Sequence, residues 1–232
     1  MPSSPAVEAK VSLSERAYQE LRRRILDCEL EPGVLISERG IAGEIGLGIA
    51  AVRSALVRLS AEGLVITIPR VGYQVSNFTI EYINNFFEAW RVLGHGIVRL
   101  ALTNMTNSDR KKLQHLRDRV KALGADADPA KVITEVDRTW EQMVEIAGNP
   151  LLGDFFYRMQ ADMRRLFILA LRSDANGQGL TSKMVEAPGF ENLPSIEAGE
   201  ASFENFVDMS QQYIMSVVLG LPVLSKVSLA FR

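Results

Sequence analysis

Few residues of this chain have the types and spacing that catalysis needs. Asp137 and Glu141 stand four positions apart, so a helix would place both carboxylates on one face. The chain has two histidines, one cysteine (Cys28) and no glycine-rich loop of the kind that cradles a phosphate. Because no nucleophile with a base, metal cluster or carboxylate pair with separated pKa values assembles, we favour a solvated or salt-bridged face. We therefore predict that the chain is not an enzyme.

The elements that would position binding residues are clearest in the first eighty residues. Ser12 with Glu15 three positions later is typical of a helix N-terminus, and an apolar period continues to Ile25. After the turn at Pro32-Gly33, the pattern predicts a second helix (37–45), a turn (46–48), a third helix (49–61) and two strands (64–68 and 73–75). This order of a helix, a helix-turn-helix and a two-stranded wing indicates a domain shaped to bind duplex DNA.

From residue 78 onward the sequence predicts only helices. They run over 79–105 and 106–123, begin again at Asp128-Pro129 and Asn149-Pro150, and end with a helix over about 194–220. Ser173 to Gly189 is rich in Gly, Asn and Ser and is predicted to be a long, partly mobile connection. We expect a mainly α fold, with a winged helix-turn-helix domain (1–76) followed by an all-α antiparallel helical bundle (77–232).

The charge balance limits how this chain could bind DNA. The formal net charge is −2, and residues 1–76 contain nine Lys and Arg against nine Asp and Glu. Any affinity for DNA must therefore come from where particular arginines point and not from bulk charge.

The sequence also favours a location in the cytoplasm. A single cysteine fits a reducing compartment, and the N-terminus shows no signal-peptide pattern. The longest mostly apolar stretch, Ile214 to Leu224, is well short of the roughly 20 residues that a membrane helix needs.

Many positions match a known family in order and with almost no gaps. Those in the first half are Pro32-Gly33, Leu35, Glu38, Ala42, Val52-Arg53, Ala55-Leu56, Arg58-Leu59, Glu62-Gly63-Leu64-Val65, Gly72 and Val75. Those in the second half are Arg91, Asp137 with Trp140, and Asn149-Pro150-Leu151. Over about residues 12 to 216 the chain resembles the GntR family of bacterial transcription regulators, in its FadR-like subfamily with an FCD effector domain. The resemblance implies a homodimer that binds a double-stranded DNA operator and a small-molecule effector.

The resemblance places three arginines at positions that contact DNA in the family. There the third helix enters the major groove and the wing reaches the minor groove, which puts Arg39 and Arg53 at contact positions and Arg70 at the wing tip. An arginine fork can pair with guanine or clamp a phosphate. Arg53 could instead pair with Glu38 or Glu44, and Arg70 could be an ordinary turn residue.

Small and apolar residues take the remaining DNA-facing positions. Gly72 would permit a tight wing turn and a close backbone approach. At the start of the third helix, where the family usually has Ser or Thr, Arg, Thr and often Pro, this chain has Gly48, Ile49, Ala50 and Ala51. Gly48 can cap the helix only by its backbone, and Ile49 and Ala50 could touch a thymine methyl group. We favour an operator that leans towards A·T pairs over the alternative, a degenerate dimer with weak DNA binding.

The metal site of many FCD domains is altered in this sequence. The family site, usually for zinc, has one Asp and three His, and the first two are spaced D-x3-H. Here Asp137 is followed by Glu141, and the other two positions fall near Gly189 and at Gln211 or Gln212. With no histidine at a ligand position, we predict no metal and no other cofactor. The alternative is an oxygen site for a harder cation, formed by Asp137, Glu141 and Gln211.

Arginines that could face the interior of the bundle suggest the chemistry of the effector. Arg91 stands where the family often has an arginine, and Arg164 and Arg165 should approach the same cavity from another helix. An inward arginine favours a carboxylate or phosphate ligand, although each could instead pair with a nearby acid or be solvated. We predict a site for a small organic anion or an acyl-type metabolite, formed by Arg91, His95, Asp137, Glu141, Arg165 and Gln211.

Overall fold

A computed structural model describes residues 12–124, 127–173, 179–186 and 189–218. The chain divides into two units between Asn77 and Phe78. The first unit contains α1 (Leu13–Leu26), β1 (Leu35–Ile36), α2 (Glu38–Ile45), α3 (Ile49–Ala61), β2 (Val65–Ile68) and β3 (Gly72–Val75). The predicted winged helix-turn-helix is confirmed, and both α2 and α3 lie within a residue of their predicted limits.

Side-chain caps explain why α1 and α2 begin where they do. The Ser12 hydroxyl accepts a hydrogen bond from the backbone N–H of Glu15 at 3.1 Å, and Ser37 does the same for Gly40 at 3.0 Å. Each bond satisfies a donor that the first helical turn leaves without a partner. The apolar faces of α1 and α3 then pack together as the core of the unit, whose fully buried members include Leu21, Ile25, Leu56 and Leu59.

The two predicted wing strands are confirmed as β2 and β3, and a third strand that was not predicted, β1, pairs with β3. The strand order is β1-β3-β2, both pairings are antiparallel, and Leu35 and Ile36 of β1 lie opposite Gln74 and Tyr73. A two-residue strand is too short to show an alternating pattern, and its partner is about forty residues away. Gly72, at φ +133°, passes so close to β1 that an added Cβ would lie 2.8 Å from the Ile36 carbonyl oxygen.

The second unit is helical throughout its described residues. It contains α4 (Ile80–Asn104), α5 (Asn107–Leu123), α6 (Pro129–Ala147), α7 (Pro150–Ser173), α8 (Gly179–Glu186), a 3₁₀ helix (Phe190–Asn192) and α9 (Ile196–Val218). Side chains cap α4, α5 and α6 from Thr79, Thr106 and Asp128. Within the described ranges, no single helix has the length and hydropathy of a membrane span, although α2 and α3, at 113° to each other, pass that test as a pair.

The connection predicted between Ser173 and Gly189 contains a helix, α8, so that prediction is wrong in part. Residues 174–178 and 187–188 lie outside the described residues, as do the end of the predicted last helix and the tail from Leu221 to Arg232. The Arg117 guanidinium of α5 donates to the carbonyls of Met184 (3.1 Å) and Val185 (2.6 Å), near the C-terminal end of α8. This support comes from another helix, and a local sequence pattern cannot reveal it.

A cluster of aromatic rings forms the core of the second unit. Trp90 is 1% exposed, and its ring centroid lies 4.9 Å from that of Trp140 and 5.7 Å from that of Phe203. Gly94, one turn after Trp90 on α4, faces the Phe203 ring so closely that a Cβ on Gly94 would overlap it. The close approach of α4 and α9 therefore depends on the missing side chain at Gly94.

Candidate DNA-binding surface and effector cavity

A groove of about 660 Å³ lies between the N-terminal ends of α2 and α3 and the wing. Five of the seven predicted DNA-contacting residues line it: Arg39, Ile49, Arg53, Arg70 and Gly72. The other two, Gly48 and Ala50, are exposed at the start of α3, where Gly48 is the N-cap and makes no side-chain hydrogen bond. The structure therefore brings the predicted residues together on one surface.

The described arginines of this domain fall into two groups, those that form ion pairs with carboxylates and those that do not. Most of them lie near carboxylates, in the pairs Arg22–Glu62, Arg23–Glu29, Arg24–Glu44, Arg53–Glu38 and Arg58–Glu15. Within the described part of the domain, Arg16, Arg39 and Arg70 have no carboxylate at ion-pair distance. Arg39 and Arg70 both line the groove. Most of the arginine charge that no described carboxylate neutralises therefore lies there.

Arg53 pairs with Glu38, which was one of the alternatives that the sequence left open, whereas Glu44 pairs with Arg24. Its Nε lies 3.0 Å from both carboxylate oxygens and its Nη2 lies 2.8 Å from Oε2. The hydrogen bonds from Arg53 lower the pKa of Glu38, so the carboxylate stays ionised. The Arg53 side chain remains 63% exposed, and the pair therefore holds the guanidinium in one direction within the groove.

The face of α3 around Arg53 is apolar. Ile49 is 44% exposed one turn before Arg53, and Val57 is 58% exposed one turn after it. Val57 is not among the predicted contact residues, although its spacing of four from Arg53 puts it on the same helix face. An exposed strip of methyl groups around one arginine can contact thymine methyl groups on both sides of a guanine.

The wing turn holds Arg70 in an unfavourable backbone conformation. The Val71 N–H donates to the Ile68 carbonyl at 3.1 Å, which closes a turn with Pro69 and Arg70 at its centre. Arg70 has φ +66°, in the left-handed region that costs a residue with a side chain roughly 1–2 kcal/mol. Glycine would be the less strained residue at this position, so the arginine is present at the expense of stability.

Replacing Arg70 by glycine should change stability and DNA affinity in opposite directions. We expect the free energy of unfolding to rise by about 0.5–1 kcal/mol, because relief of strain exceeds the entropy that glycine adds to the unfolded chain. Affinity for DNA should fall, because an open cation leaves the groove. Urea unfolding and fluorescence anisotropy with labelled DNA would measure the two effects. Arg70→Asn tolerates the same backbone and is the matched control; a less stable glycine variant would contradict the prediction.

In the helical unit, three of the six predicted effector residues lie together between α4 and α9. Arg91 Nε lies 2.7 Å from Glu204 Oε1, its Nη1 lies 3.0 Å from Gln211 Oε1, and it also pairs with Asp208. His95 Nε2 lies 2.7 Å from Glu204 Oε2. The hydrogen bonds from His95 and Arg91 lower the pKa of Glu204. In the described structure these groups satisfy one another across the two helices.

Of the other three predicted residues, Asp137 and Glu141 lie between α6 and α7, and Arg165 belongs to α7. Asp137 Oδ2 accepts from Arg164 Nη1 at 3.0 Å, and Glu141 Oε1 accepts from Gln160 Nε2 at 3.1 Å. Arg165 is 1% exposed and pairs with Asp162 at 3.0 Å. All six residues were expected in one site, whereas the structure separates them. Three meet between α4 and α9, two meet α7 from α6, and Arg165 pairs within α7 and lies over the Phe78 ring.

The residues present do not fit the metal of the FCD family. Gln211 of α9 bonds to Arg91 of α4, apart from Asp137 and Glu141 on α6. The carboxylate of Asp137 faces the guanidinium of Arg164, and a second cation beside that carboxylate would be repelled. Among the described residues, no group of three or more His, Cys, Asp or Glu side chains is placed to hold a metal ion.

Asp137 should make the stability of the protein depend on pH. Burial raises the pKa of its carboxyl from 3.8 to about 6, in spite of the adjacent Arg164. The folded protein then binds more protons than the unfolded chain between these values, so the free energy of unfolding falls as the pH rises from 4 to 6, by up to about 3 kcal/mol.

Urea unfolding of the wild type and Asp137→Asn across that pH range would test this, with Asp154→Asn, at an exposed position of α7, as the matched control. The advantage of the wild type over Asp137→Asn should shrink as the pH rises. An advantage that grows with pH would mean that the ion pair with Arg164 outweighs burial.

A cavity of about 420 Å³ lies between α5, α6, α8, the 3₁₀ helix and α9. None of the six predicted effector residues is among the described residues that line it. From α6, the cavity is lined by Val136 and Trp140, each one position before Asp137 and Glu141. Successive side chains point 100° apart around a helix, so two neighbouring residues can lie on a polar and on an apolar face. From the sequence, Val136 and Trp140 cannot be distinguished from ordinary core residues.

A winged helix-turn-helix unit with open arginines in its groove, followed by a helical unit with a ligand-sized cavity, is the architecture of a DNA-binding transcription regulator. Two family models match the chain: the bacterial regulatory proteins of the gntR family over residues 13–75, and the FCD domain over residues 85–184. The chain belongs to the GntR family of transcription regulators and carries an FCD domain.

Individual proteins also resemble this chain, one in sequence and two in fold. The HTH-type transcriptional regulator YieP of Escherichia coli K12 is 29% identical over 176 residues, which are 66% of this chain and 75% of YieP. The solved structure of E. coli McbR/YncC has a TM-score of 0.69 at 18% identity and covers 91% of this chain and 99% of its own. A transcriptional regulator GntR from Rhodococcus sp. RHA1 has a TM-score of 0.67 at 18% identity, covering 88% and 97%. These two structures share the fold.

Proposed function

We propose that this chain is a homodimeric, cytoplasmic regulator that binds a specific operator and changes its affinity for it when a small organic anion or acyl-type metabolite binds the helical domain. The groove carries the proposal, because it collects Arg39, Arg53 and Arg70 in a domain whose other cations are largely paired. Two copies related by a twofold axis would read a pseudo-palindrome with half-sites about one helical turn apart.

A degenerate regulator that binds DNA weakly is the second candidate. It is favoured by the start of α3, where Gly48 makes no side-chain cap and Ile49 and Ala50 offer no side-chain hydrogen-bond donor to a phosphate or base. The pairing of Arg53 with Glu38 adds to it, because DNA would have to compete with a carboxylate for that guanidinium.

Selection of DNA from a random pool by the purified full-length protein, followed by sequencing, tests the first candidate. We expect enrichment of an inverted repeat and an affinity that decreases with salt. Recovery of no enriched sequence at low salt would contradict sequence-specific binding.

A variant that combines Gly48→Ser, Ile49→Arg, Ala50→Thr and Ala51→Pro separates the two candidates. It restores the residues that the family usually has at these positions. A sharp gain in affinity for DNA would support the degenerate regulator, whereas unchanged affinity would count against it.

A further inference from the structure

The cavity of the helical domain has a wall that is mainly apolar. Its apolar side chains include Val120, Val136, Trp140, Met184, Phe190 and Phe206. The neutral polar groups among the described lining residues are Thr139, Ser202 and Asn205, and no Asp or Glu lines it. A ligand with an apolar body and few polar atoms would lose the least hydration free energy on entering such a site.

Two of the described residues that line the cavity are basic, and one of them already donates its hydrogen bonds to backbone carbonyls. Arg117 is 9% exposed, and its guanidinium donates to the Met184 and Val185 carbonyls of α8. Because these bonds hold α8 over the cavity, recruiting Arg117 to a ligand would break the support of the cavity wall. Burial also lowers the pKa of Arg117, which shows that its charge is already poorly solvated.

Lys183 is the other basic residue, and it differs from Arg117 in each of these respects. It lies on α8 beside Met184, its side chain is exposed, and it makes no ion pair with any described residue. Among the described lining residues, Lys183 therefore presents a positive charge without an ion-pair partner next to an apolar interior. That arrangement suits a single carboxylate on an apolar body.

The volume sets how much of a ligand the cavity can enclose. A close-packed ligand filling about 420 Å³ has roughly 12 to 17 non-hydrogen atoms. A medium-chain fatty acid or an arylalkanoic acid has this size. A coenzyme A thioester is much larger, and its several phosphates would need more open cations than the described lining supplies.

We propose that the effector of this protein is a free amphipathic monocarboxylate, bound without a metal, with its apolar body against Trp140 and Phe206 and its carboxylate at Lys183. The inference rests on the proposed function for its consequence at the operator, but binding to the free protein does not depend on DNA. It narrows the effector from organic anions and acyl metabolites in general to free acids with one charge.

Decanoate is a suitable probe, with decanol as its neutral counterpart of equal chain length. Trp140 lies in the cavity wall, so the intrinsic fluorescence of the full-length protein, supported by calorimetry, reports occupancy. We expect saturable 1:1 binding of decanoate, with decanol about fivefold weaker, as for a partly exposed ion pair. Lys183→Gln should weaken decanoate about fivefold and leave decanol unchanged. Lys111→Gln, an exposed lysine of α5 outside the cavity, should change neither.

Ser202→Trp provides a second variant, because filling the cavity should abolish binding of both probes. Equal affinity for decanoate and decanol in the wild type, an unaltered preference in Lys183→Gln, or no saturable binding of decanoate would each overturn the proposal. The outcome of the DNA selection is interpreted independently of the ligand-binding experiment. Decanoate binding without an enriched operator would remove the proposed function and keep the ligand class, and the reverse result would remove only the ligand class.

Discussion

Replacing Arg53 by alanine is expected to lower the affinity for the selected operator roughly 5- to 150-fold, the value of one good bidentate contact with a base. The Arg53 fork is exposed on the recognition helix α3, and Glu38 fixes its direction. The loss should be concentrated at one base pair, because the fork reads only that position. Anisotropy titrations with the operator and with single-base variants of it would show whether the mutant becomes indifferent at that position.

Other arginines of the same domain provide matched controls. Arg39→Ala and Arg70→Ala should weaken binding to all sequences about equally and reduce the salt dependence by about one charge each. Arg58→Ala changes the same helix on another side, where Arg58 pairs with Glu15 and stacks on Tyr18 at 3.5 Å, and should affect stability and not discrimination. A uniform loss across all sequences in Arg53→Ala would show that Arg53 only contacts phosphate.

Replacing Gly94 by alanine should destabilise the helical domain by about 1–3 kcal/mol, the usual cost of overfilling a packed core. The added Cβ would overlap the Phe203 ring, which cannot turn away easily because it packs against Trp90 and Trp140. Urea unfolding followed by fluorescence measures the change, since both tryptophans of the chain lie in this cluster.

Gly96→Ala is the matched control, two residues along the same helix. A Cβ there would approach Leu152 no closer than 3.8 Å, an ordinary contact. Alanine is the better helix former, so this variant should gain about 0.5–1 kcal/mol. If the two variants have the same effect, the close approach of α4 and α9 at Gly94 is not what stabilises the pair.

The sequence predicted the elements whose causes are local. The limits of α2 and α3 follow from the Ser37 cap, the turn at 46–48 and an apolar period, all within 25 consecutive residues. The two missed elements depend on distant partners. β1 pairs with β3 across the domain, and α8 is held by Arg117 of α5. A local pattern cannot show which element will supply the missing hydrogen bonds.

The two candidate sites differ for the same reason. The candidate DNA-binding surface is built from one continuous stretch of chain, so residues predicted from order and spacing meet in one groove. The cavity is built from five separate elements, and the choice between the Val136–Trp140 face and the Asp137–Glu141 face of α6 depends on how those elements pack. The effector role of the predicted residues stays a prediction, while the cavity identifies another set.

The internal ion pairing of the DNA-binding domain has a consequence for how such a protein searches a chromosome. Affinity for arbitrary sequence comes from phosphates neutralised by cations, and most cations here are already bound to carboxylates. The roughly million or more competing sites of a genome would therefore sequester few molecules. We therefore expect a regulator of this kind to occupy its operator at a low copy number.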